Sequence, residues 1–262
     1  MKAALVAATL VFVGAGNAAV SPFDGLWVAD LKTQIGQAGF DNYLLVDGNY
    51  KCESCRPPRS YPADGKMRPV PGDVSVVLEG ITIAGPRTII TRIVDHEMKR
   101  ETRMTVSPNS RTATYVSLDK WPGRARRLRT EYVAKRTAPA PSGAHAVSGS
   151  WLGLRYIAAP EEYRSVRLGE ANGQFTRIDF RRGRYTAKVG GEAAPVTQDG
   201  KNIFEAKVAA PDDHTRIEVV SLNGKPLVER TYSLSADGRS MVTTVRDPAD
   251  GSIYRTTSHR KK

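Results

Sequence analysis

The sequence contains little cysteine and little histidine, and this scarcity excludes several classes of protein. Two cysteines in 262 residues are too few for a disulfide-dense miniprotein or a four-cysteine zinc site. There are four histidines, and no GxSxG, HExxH or P-loop signature of a catalytic site occurs. The 23 glycines and 16 prolines are scattered, so the chain is neither collagen-like nor wholly disordered. After residue 20, no apolar run is long enough for a membrane-spanning helix.

What is present is an ordinary globular composition with an excess of positive charge. Apolar residues make up 40% of the chain and charged residues 25%, which is enough apolar material for a sizeable core. The length predicts one or two domains. The formal net charge of +12 favours anionic partners over cationic ones, although it is spread over the whole chain.

The first residues have the organisation of a secretory signal peptide. Lys2 supplies a positive charge, an apolar run follows from Ala3 to Val13, and small residues precede a cleavage position after Ala18. Glycines and an asparagine interrupt the run before it reaches the roughly 20 residues of a transmembrane anchor. We therefore predict a signal peptide over residues 1–18 and a mature protein that is periplasmic or secreted.

Cys52 and Cys55 form a CxxC pair whose meaning depends on the compartment. In an oxidising compartment such a pair most simply closes a local disulfide, whereas a reducing cytosol favours metal or redox chemistry. Arg56, Pro57 and Pro58 follow, which suits an extended loop better than the helix N-terminus that activates redox thiols. The sequence predicts a structural disulfide, with redox-active thiols and metal binding as alternatives. No metal site and no cofactor is predicted.

Four pairs of similar segments occur in the same order along the chain, which indicates an internal duplication. The pairs are Phe23–Trp27 with Val147–Trp151, Tyr61 with Tyr185, Glu101–Arg111 with Glu229–Arg239, and Lys135-Arg136 with His259-Arg260. Residues 137–146, rich in Pro, Ala, Ser and Gly, have the composition of a linker. We therefore predict a first repeat over residues 21–136 and a second over residues 147–262.

Each half has the pattern of short β-strands joined by tight turns. Asx-Gly dipeptides such as Asp47-Gly48 provide the backbone angles of hairpin turns, and alternating stretches such as Leu227–Leu234 lie between them. The segment Pro160–Arg164 is the one helix candidate. The predicted fold class is all-β, an antiparallel up-and-down meander that hides its edges by closing. Two tandem barrels and one large continuous barrel are both compatible with this pattern.

A G-x-W pattern opens each half and resembles the start of lipocalin and related calycin barrels. The two copies are Gly25-Leu26-Trp27 and Gly149-Ser150-Trp151. In that family the tryptophan plugs the closed end of the barrel, and a basic residue of the last strand packs over its ring. The resemblance implies that Trp27 and Trp151 are barrel plugs. It implies Arg136 and Arg260, near the ends of the two halves, as their basic partners.

The segment Tyr43–Pro58 resembles the YLLxDGxYxCxSCxPP segment of a family of uncharacterised exported proteins of Gram-negative bacteria. Those proteins also carry a signal peptide, an early F-x-G-x-W and a second G-x-W half, so the resemblance covers nearly the full chain. It implies an exported protein with two lipocalin-like repeats and implies no activity.

Arginines are concentrated in short runs. The densest run is Arg124, Arg126, Arg127 and Arg129, and the others are Arg181, Arg182 and Arg184, and Arg260–Lys262. The functional interpretation is a patch for lipid phosphates or acidic glycans. The structural interpretation, which we favour, is solubility and protection of strand edges. Nucleic acid is not predicted as a partner, because no aromatic stacking motif accompanies the runs.

Three further features resemble site residues. The triplets Asp95–Glu97 and Asp212–His214 combine acids with histidine, but adjacent residues of a strand point to opposite faces. We interpret both as solvated loop charge. Trp121 lies in a predicted turn, where it either covers a hairpin or contacts a ligand.

The sequence favours a non-enzymatic carrier that holds a small apolar or amphipathic ligand inside a barrel. An alternative is an envelope-associated module that binds anionic surfaces through its basic face. A second alternative is a barrel-based hydrolase or isomerase, which requires several polar side chains converging in one cavity. The first half alone carries the cysteine pair, the densest arginine run and Trp121, so we expect function to lie there. The sequence predicts no oligomeric state.

Overall fold

The structure is a computed structural model that describes residues 21–37, 39–73, 76–95, 98–180, 183–198 and 201–261. The predicted signal peptide, residues 1–18, lies outside these ranges, and so do His96, Glu97, Arg181 and Arg182. In the described ranges, no helix is long and apolar enough to cross a membrane.

The described chain consists almost entirely of β-strands joined by short turns. The strands are β1 (Gly25–Gly36), β2 (Phe40–Val46), β3 (Asn49–Cys52), β4 (Arg59–Pro62), β5 (Arg68–Pro69), β6 (Leu78–Gly85), β7 (Thr88–Asp95), β8 (Met98–Val106), β9 (Thr112–Lys120), β10 (Leu128–Ala138), β11 (Gly149–Ala158), β12 (Ser165–Ala171), β13 (Gln174–Asp179), β14 (Gly183–Lys188), β15 (Ala194–Gln198), β16 (Lys201–Asp212), β17 (Thr215–Leu222), β18 (Lys225–Leu234), β19 (Ser240–Arg246) and β20 (Ile253–Lys261). One short helix, α1 (Glu161–Arg164), lies between β11 and β12, where the sequence predicts it.

Ten strands form a closed antiparallel barrel, which we call the closed barrel. Its order is β1-β12-β13-β14-β15-β16-β17-β18-β19-β20, and β1 pairs with both β12 and β20. The predicted all-β antiparallel meander is therefore confirmed.

The other ten strands form the curled sheet, in the order β4-β3-β2-β11-β10-β9-β8-β7-β6-β5. The chain between β4 and β5 links the two ends of this sheet. The amide of Ala63 donates to the carbonyl of Gly48 at 2.7 Å, and the amide of Gly65 donates to the carbonyl of Ile81 at 2.7 Å. The molecule thus combines one closed barrel with one barrel-like sheet, in place of two closed barrels or one large barrel.

The two sheets do not follow the two halves of the sequence. Strand β1 carries the first G-x-W, yet it pairs with β12 and β20 of the second half. Strand β11 carries the second G-x-W, yet it pairs with β10 and β2 of the first half. The predicted repeats, residues 21–136 and 147–262, therefore exchange their first strands. Where the two crossing segments meet, the amide of Gly153 donates to the carbonyl of Gly39 at 3.1 Å.

Two hairpin turns in the segments predicted to be repeated share one hydrogen-bonding scheme. Ser107 Oγ accepts a hydrogen bond from the amide of Thr112 at 3.1 Å. Ser235 Oγ accepts one from the amide of Ser240 at 3.0 Å. These serines occupy matching positions of the similar segments, so the turns support an internal duplication.

Alternation of side chains along the strands builds a separate core in each sheet. Strand β9 shows the pattern clearly, because every second residue is buried. The core of the closed barrel includes Phe23, Trp27 and Phe175, and that of the curled sheet includes Tyr50 and Trp151. The exchanged strand β1 therefore brings Trp27 into the core of the closed barrel, and the exchanged strand β11 brings Trp151 into the core of the curled sheet.

Candidate functional site

Trp27 occupies the core of the closed barrel near the start of β1. Its ring is fully buried, and its Nε1 donates to the carbonyl of Phe23 at 2.8 Å. The guanidinium of Arg260, its register partner on β20, lies 4.8 Å from the ring centroid. Gly25 has a φ of +140°, and a Cβ there would lie 3.2 Å from the Arg260 side chain. The glycine thus leaves room for the arginine that covers the tryptophan.

Trp151 has equivalent surroundings in the curled sheet. Its Nε1 donates to the carbonyl of Val147 at 2.9 Å, and the guanidinium of Arg136 lies 4.1 Å from its ring centroid. Arg136 also donates to the carbonyl of Ser148 at 2.5 Å. The family resemblance implies such contacts within each half. In the structure, each contact joins an arginine of one half to the tryptophan of the other half.

A cavity of about 190 Å³ lies in the closed barrel, further along β1 than Trp27. Along β1 its wall begins at Ala29 and extends to Gln34, and β12, β13, β18, β19 and β20 contribute further residues. Thr130 of β10, Tyr156 of β11 and the α1 segment complete the wall. The cavity is therefore built mainly from the second half of the sequence, with the curled sheet on one side.

A network of charged side chains borders this cavity, with Glu218 behind the residues that line it. Arg230 Nη1 donates to Glu218 Oε1 at 2.5 Å, and the hydroxyl of Tyr232 donates to Glu218 Oε2 at 2.5 Å. Arg177 Nη2 donates to Asp179 Oδ2 at 2.7 Å, while its Nε lies 3.5 Å from Glu218 Oε2. The Glu218 side chain is 0% exposed and the Arg177 side chain 6%. Buried charges of this kind persist only when they are paired.

The arginines keep Glu218 ionised. Burial by itself raises the pKa of its carboxyl, but the charges of Arg230 and Arg177 and the Tyr232 hydrogen bond outweigh burial and lower the pKa to about 2. Burial and the neighbouring Glu218 charge raise the pKa of Tyr232 above its ordinary value. Neither group therefore changes its protonation near neutral pH, which suits charge compensation better than proton transfer.

The Glu218–Arg230 pair has no counterpart at the matching strand pair of the curled sheet. Glu218 and Arg230 face each other across β17 and β18. At the matching place across β7 and β8, Thr91 faces Thr102. The curled sheet has a buried ion pair on other strands, in which Arg59 donates to Glu79 Oε2 at 2.7 Å. The two sheets thus share the tryptophan–arginine contact but differ in where their buried charges lie.

Part of this network is visible in the sequence. The alternation of β18 places Arg230 on the same face as Val228 and Tyr232, so a charged residue stands on an apolar face. Its partner Glu218 lies on another strand, and Arg177 on a third. Only strand pairing brings the three together, which is why sequence patterns alone miss the site.

The densest arginine run lies at the hairpin between β9 and β10, beside the cavity. Arg124 and Arg126 donate to Glu162 Oε1 of α1 at 3.3 and 3.0 Å. Arg129 donates to a carboxylate of its own strand at 2.5 Å. Arg127 is exposed. Two of the four arginines thus dock this hairpin on α1, and a third is paired within its own strand. The role of the run in anion binding stays a prediction.

Trp121 takes part in the same docking. Its Nε1 donates to the hydroxyl of Tyr163 at 2.7 Å, and that hydroxyl donates to Asp119 Oδ2 at 2.6 Å. The ring packs edge-on against Phe180, with centroids 5.2 Å apart. Trp121 therefore covers a hairpin beside the cavity, whose wall includes Tyr163.

The remaining predicted site residues lie elsewhere. Cys52 and Cys55 form the predicted disulfide in the curled sheet. Asp212 and His214 form an exposed turn, in which Asp212 Oδ1 accepts a hydrogen bond from the amide of His214 at 2.8 Å. Over the part of the chain that the structure describes, no group of three or more His, Cys, Asp or Glu residues is arranged to hold a metal ion.

Comparisons with known proteins found no match from which a function could be inferred. No protein-family model matches the chain. No curated protein and no solved structure matches it either. The chemistry of the cavity wall is therefore the basis for the proposed function.

Proposed function

We propose that this protein is a non-enzymatic binding protein that holds a small amphipathic molecule noncovalently in the closed barrel. The observation that carries the proposal is the cavity of about 190 Å³ within a closed sheet. Because a cavity of about 150 Å³ holds benzene, a molecule with a single ring or a short chain fits. Apolar Leu31, Val166 and Val245 line the cavity together with hydroxyl and guanidinium groups, which is typical of sites for amphipathic ligands.

Binding is better supported than catalysis. The convergence of Glu218, Arg177 and Arg230 meets one requirement of a barrel-based hydrolase or isomerase. A catalytic acid or base, however, works best with a pKa near the working pH. The pKa of Glu218 is lowered to about 2. The network is therefore suited to hold a fixed arrangement of charge around a ligand.

We infer further that the protein is exported and that the two halves of its sequence are lipocalin-like repeats. The signal-peptide pattern of residues 1–18 indicates export, and the Cys52–Cys55 disulfide supports it because disulfides persist in oxidising compartments. The arginine over each G-x-W tryptophan supports the lipocalin-like relationship. Binding to an anionic envelope surface gains no support from the densest arginine run, since most of that run is ion-paired.

Native mass spectrometry of the periplasmic protein tests the proposal. We expect a native mass above the denatured mass, because a bound molecule is retained in the native protein and lost on denaturation. Thr243→Phe should remove the excess, since Thr243 lines the cavity and the larger ring fills it. Val242→Phe is the matched control, because Val242 is exposed on the opposite face of β19. An excess mass that persists in the Thr243→Phe variant would contradict binding in this cavity.

A further inference from the structure

The cavity wall contains more positive than negative charge. Arg164, Arg177 and Arg230 line it, together with Asp179. Glu218 lies behind the wall, bonded to Arg230. Counted over the described residues of the wall, these three guanidinium groups and two carboxylates leave one positive charge uncompensated. A ligand that fills the cavity displaces water from these groups, so it must supply the missing negative charge.

The same arginines have hydrogen-bond donors left over. The Nε of Arg177 is shielded from solvent and makes no hydrogen bond among the described residues, although it lies 3.5 Å from Glu218 Oε2. Arg164 donates from its Nε to the carbonyl of Ala159 at 3.2 Å and from its Nη1 to that of Ala29 at 2.8 Å. Each guanidinium carries five N–H groups. A buried donor without a partner is costly, and an acceptor on a ligand removes that cost.

The rest of the wall suits an apolar body of limited size. Tyr156, Tyr163 and Tyr254 contribute aromatic rings, and Leu31 and Val245 contribute aliphatic groups. The hydroxyl of Tyr163 is already bonded to a carboxylate outside the wall. Its ring therefore offers the ligand mainly an apolar face, as aromatic side chains in ligand sites commonly do.

We propose that the ligand is a small monocarboxylate with an apolar body of about single-ring size, and that Arg177, Arg230 and Arg164 hold its carboxylate. This inference rests on the proposed binding function. A monocarboxylate matches the single uncompensated charge, and its planar oxygens accept paired N–H groups from guanidinium. A cationic ligand would add a fourth positive charge to this wall.

Isothermal titration with three probes of similar shape tests the carboxylate. The probes are phenylacetate, its neutral analogue phenylacetamide and the cation 2-phenylethylamine, each added to the mature wild-type protein freed of bound ligand. We expect phenylacetate to bind about tenfold or more tightly than phenylacetamide, because charge-assisted hydrogen bonds are about twice as strong as neutral ones. The amine should not bind. This comparison uses the unaltered protein, so it does not depend on whether a variant folds.

A variant and its control locate the contact. Arg164→Gln should weaken phenylacetate binding about tenfold and leave phenylacetamide binding unchanged, because only the acid needs the charge. Arg167→Gln removes the same charge from an exposed position of β12 three residues away, and should leave both affinities unchanged.

The outcomes separate this inference from the proposed function. Equal binding of acid and amide, or tighter binding of the amine, overturns the carboxylate inference. If Thr243→Phe then abolishes binding of whichever probe does bind, the proposed binding function still stands. A lack of binding by all three probes also overturns the inference, and the native mass of the wild-type protein then decides the binding function alone.

Discussion

Two carboxylates on inner faces of the sheets have opposite electrostatic surroundings. Glu218 faces two arginines in the closed barrel, and its pKa is lowered to about 2. Asp41 of the curled sheet pairs in register with Trp151, so both point to the inner face. Burial raises the pKa of Asp41 to about 6, against the opposing effect of a hydrogen bond with Tyr43. The two residues therefore affect stability in opposite directions as the pH changes.

Glu218→Gln should destabilise the protein by about 3–5 kcal/mol at pH 7, because Arg177 and Arg230 would remain buried without their carboxylate. The wild-type carboxylate stabilises the fold fully above its ordinary pKa of 4.5, and this stability is lost as the pH falls through about 2. Between pH 4.5 and about 2 the wild type should lose about 3 kcal/mol of its free energy of unfolding. The variant lacks the carboxylate and should show no such loss. Urea unfolding at several pH values measures both effects.

The double variant Glu218→Gln with Arg230→Met controls for loss of packing. Removing both partners of the ion pair should recover part of the lost stability, since no unpaired carboxylate or arginine of that pair remains. A single variant as stable as the wild type at pH 7 would contradict a buried ion pair between Glu218 and Arg230.

Asp41→Asn should change the stability at pH 7 in the opposite direction from Glu218→Gln. A raised carboxyl pKa means that the folded protein holds the proton more tightly, so stability falls as pH rises from the ordinary 3.8 through about 6. The asparagine carries no charge, and the variant should be more stable at pH 7 by about 3 kcal/mol. Below pH 4 the two proteins should unfold at the same temperature. A variant less stable than the wild type at pH 7 would contradict a buried Asp41 carboxyl with a raised pKa.

At the scale of elements, strand exchange determines which arginine covers which tryptophan. Strand β10 brings Arg136 to Trp151, and β20 brings Arg260 to Trp27. The G-x-W pattern and the late arginines predicted an arginine over each tryptophan, with both residues in the same half of the sequence. They could not show which arginine covers which tryptophan, because the two halves carry the same residue types. An arginine over a tryptophan has the same chemistry within a half and between the halves.

Double-mutant cycles test the exchanged pairing. Arg136→Met and Trp151→Phe should couple by about 0.5–2 kcal/mol, because the two side chains are in cation–π contact. Arg136→Met and Trp27→Phe should be additive, since these residues belong to different sheets. Chemical denaturation of the four proteins of each cycle gives the coupling energies. Coupling of Arg136 to Trp27 instead would show that the strands are not exchanged.

The strands themselves follow from the sequence more directly than their partners do. Alternation and Asx-Gly turns predicted the meander, and Pro160–Arg164 predicted the short helix. The contrast between the halves pointed to the first, yet the cavity lies in the barrel built mainly from the second. That difference arises from Glu218 and Arg177, whose positions on separate strands give no local pattern.

At the scale of the molecule, two crossing connections join the closed barrel to the curled sheet. One runs from β1 to β2 and the other from β11 through α1 to β12. Each half of the sequence therefore contributes an essential strand to the sheet of the other half. A closed barrel that lost β1 would expose the edges of β12 and β20.

Cleaving the linker should leave the molecule in one piece. A protease site inserted among the exposed residues 141–143 would separate the halves covalently. The nicked protein should still elute as one particle, because β1 of one fragment is hydrogen-bonded in the barrel of the other. Size-exclusion chromatography with and without urea measures the association. Fragments that separate without denaturant would contradict the exchange, and the second fragment expressed alone should aggregate.

Leu26 on the first described strand is the register partner of Lys261 on the last. A short peptide can therefore connect these two strands, and a new opening can be made at Gln37–Gly39, between β1 and β2. The circularly permuted chain would run from β2 through β20 to β1. Its first ten strands would form the curled sheet and its last ten the closed barrel, so one change of connectivity converts an exchanged pair into two consecutive domains.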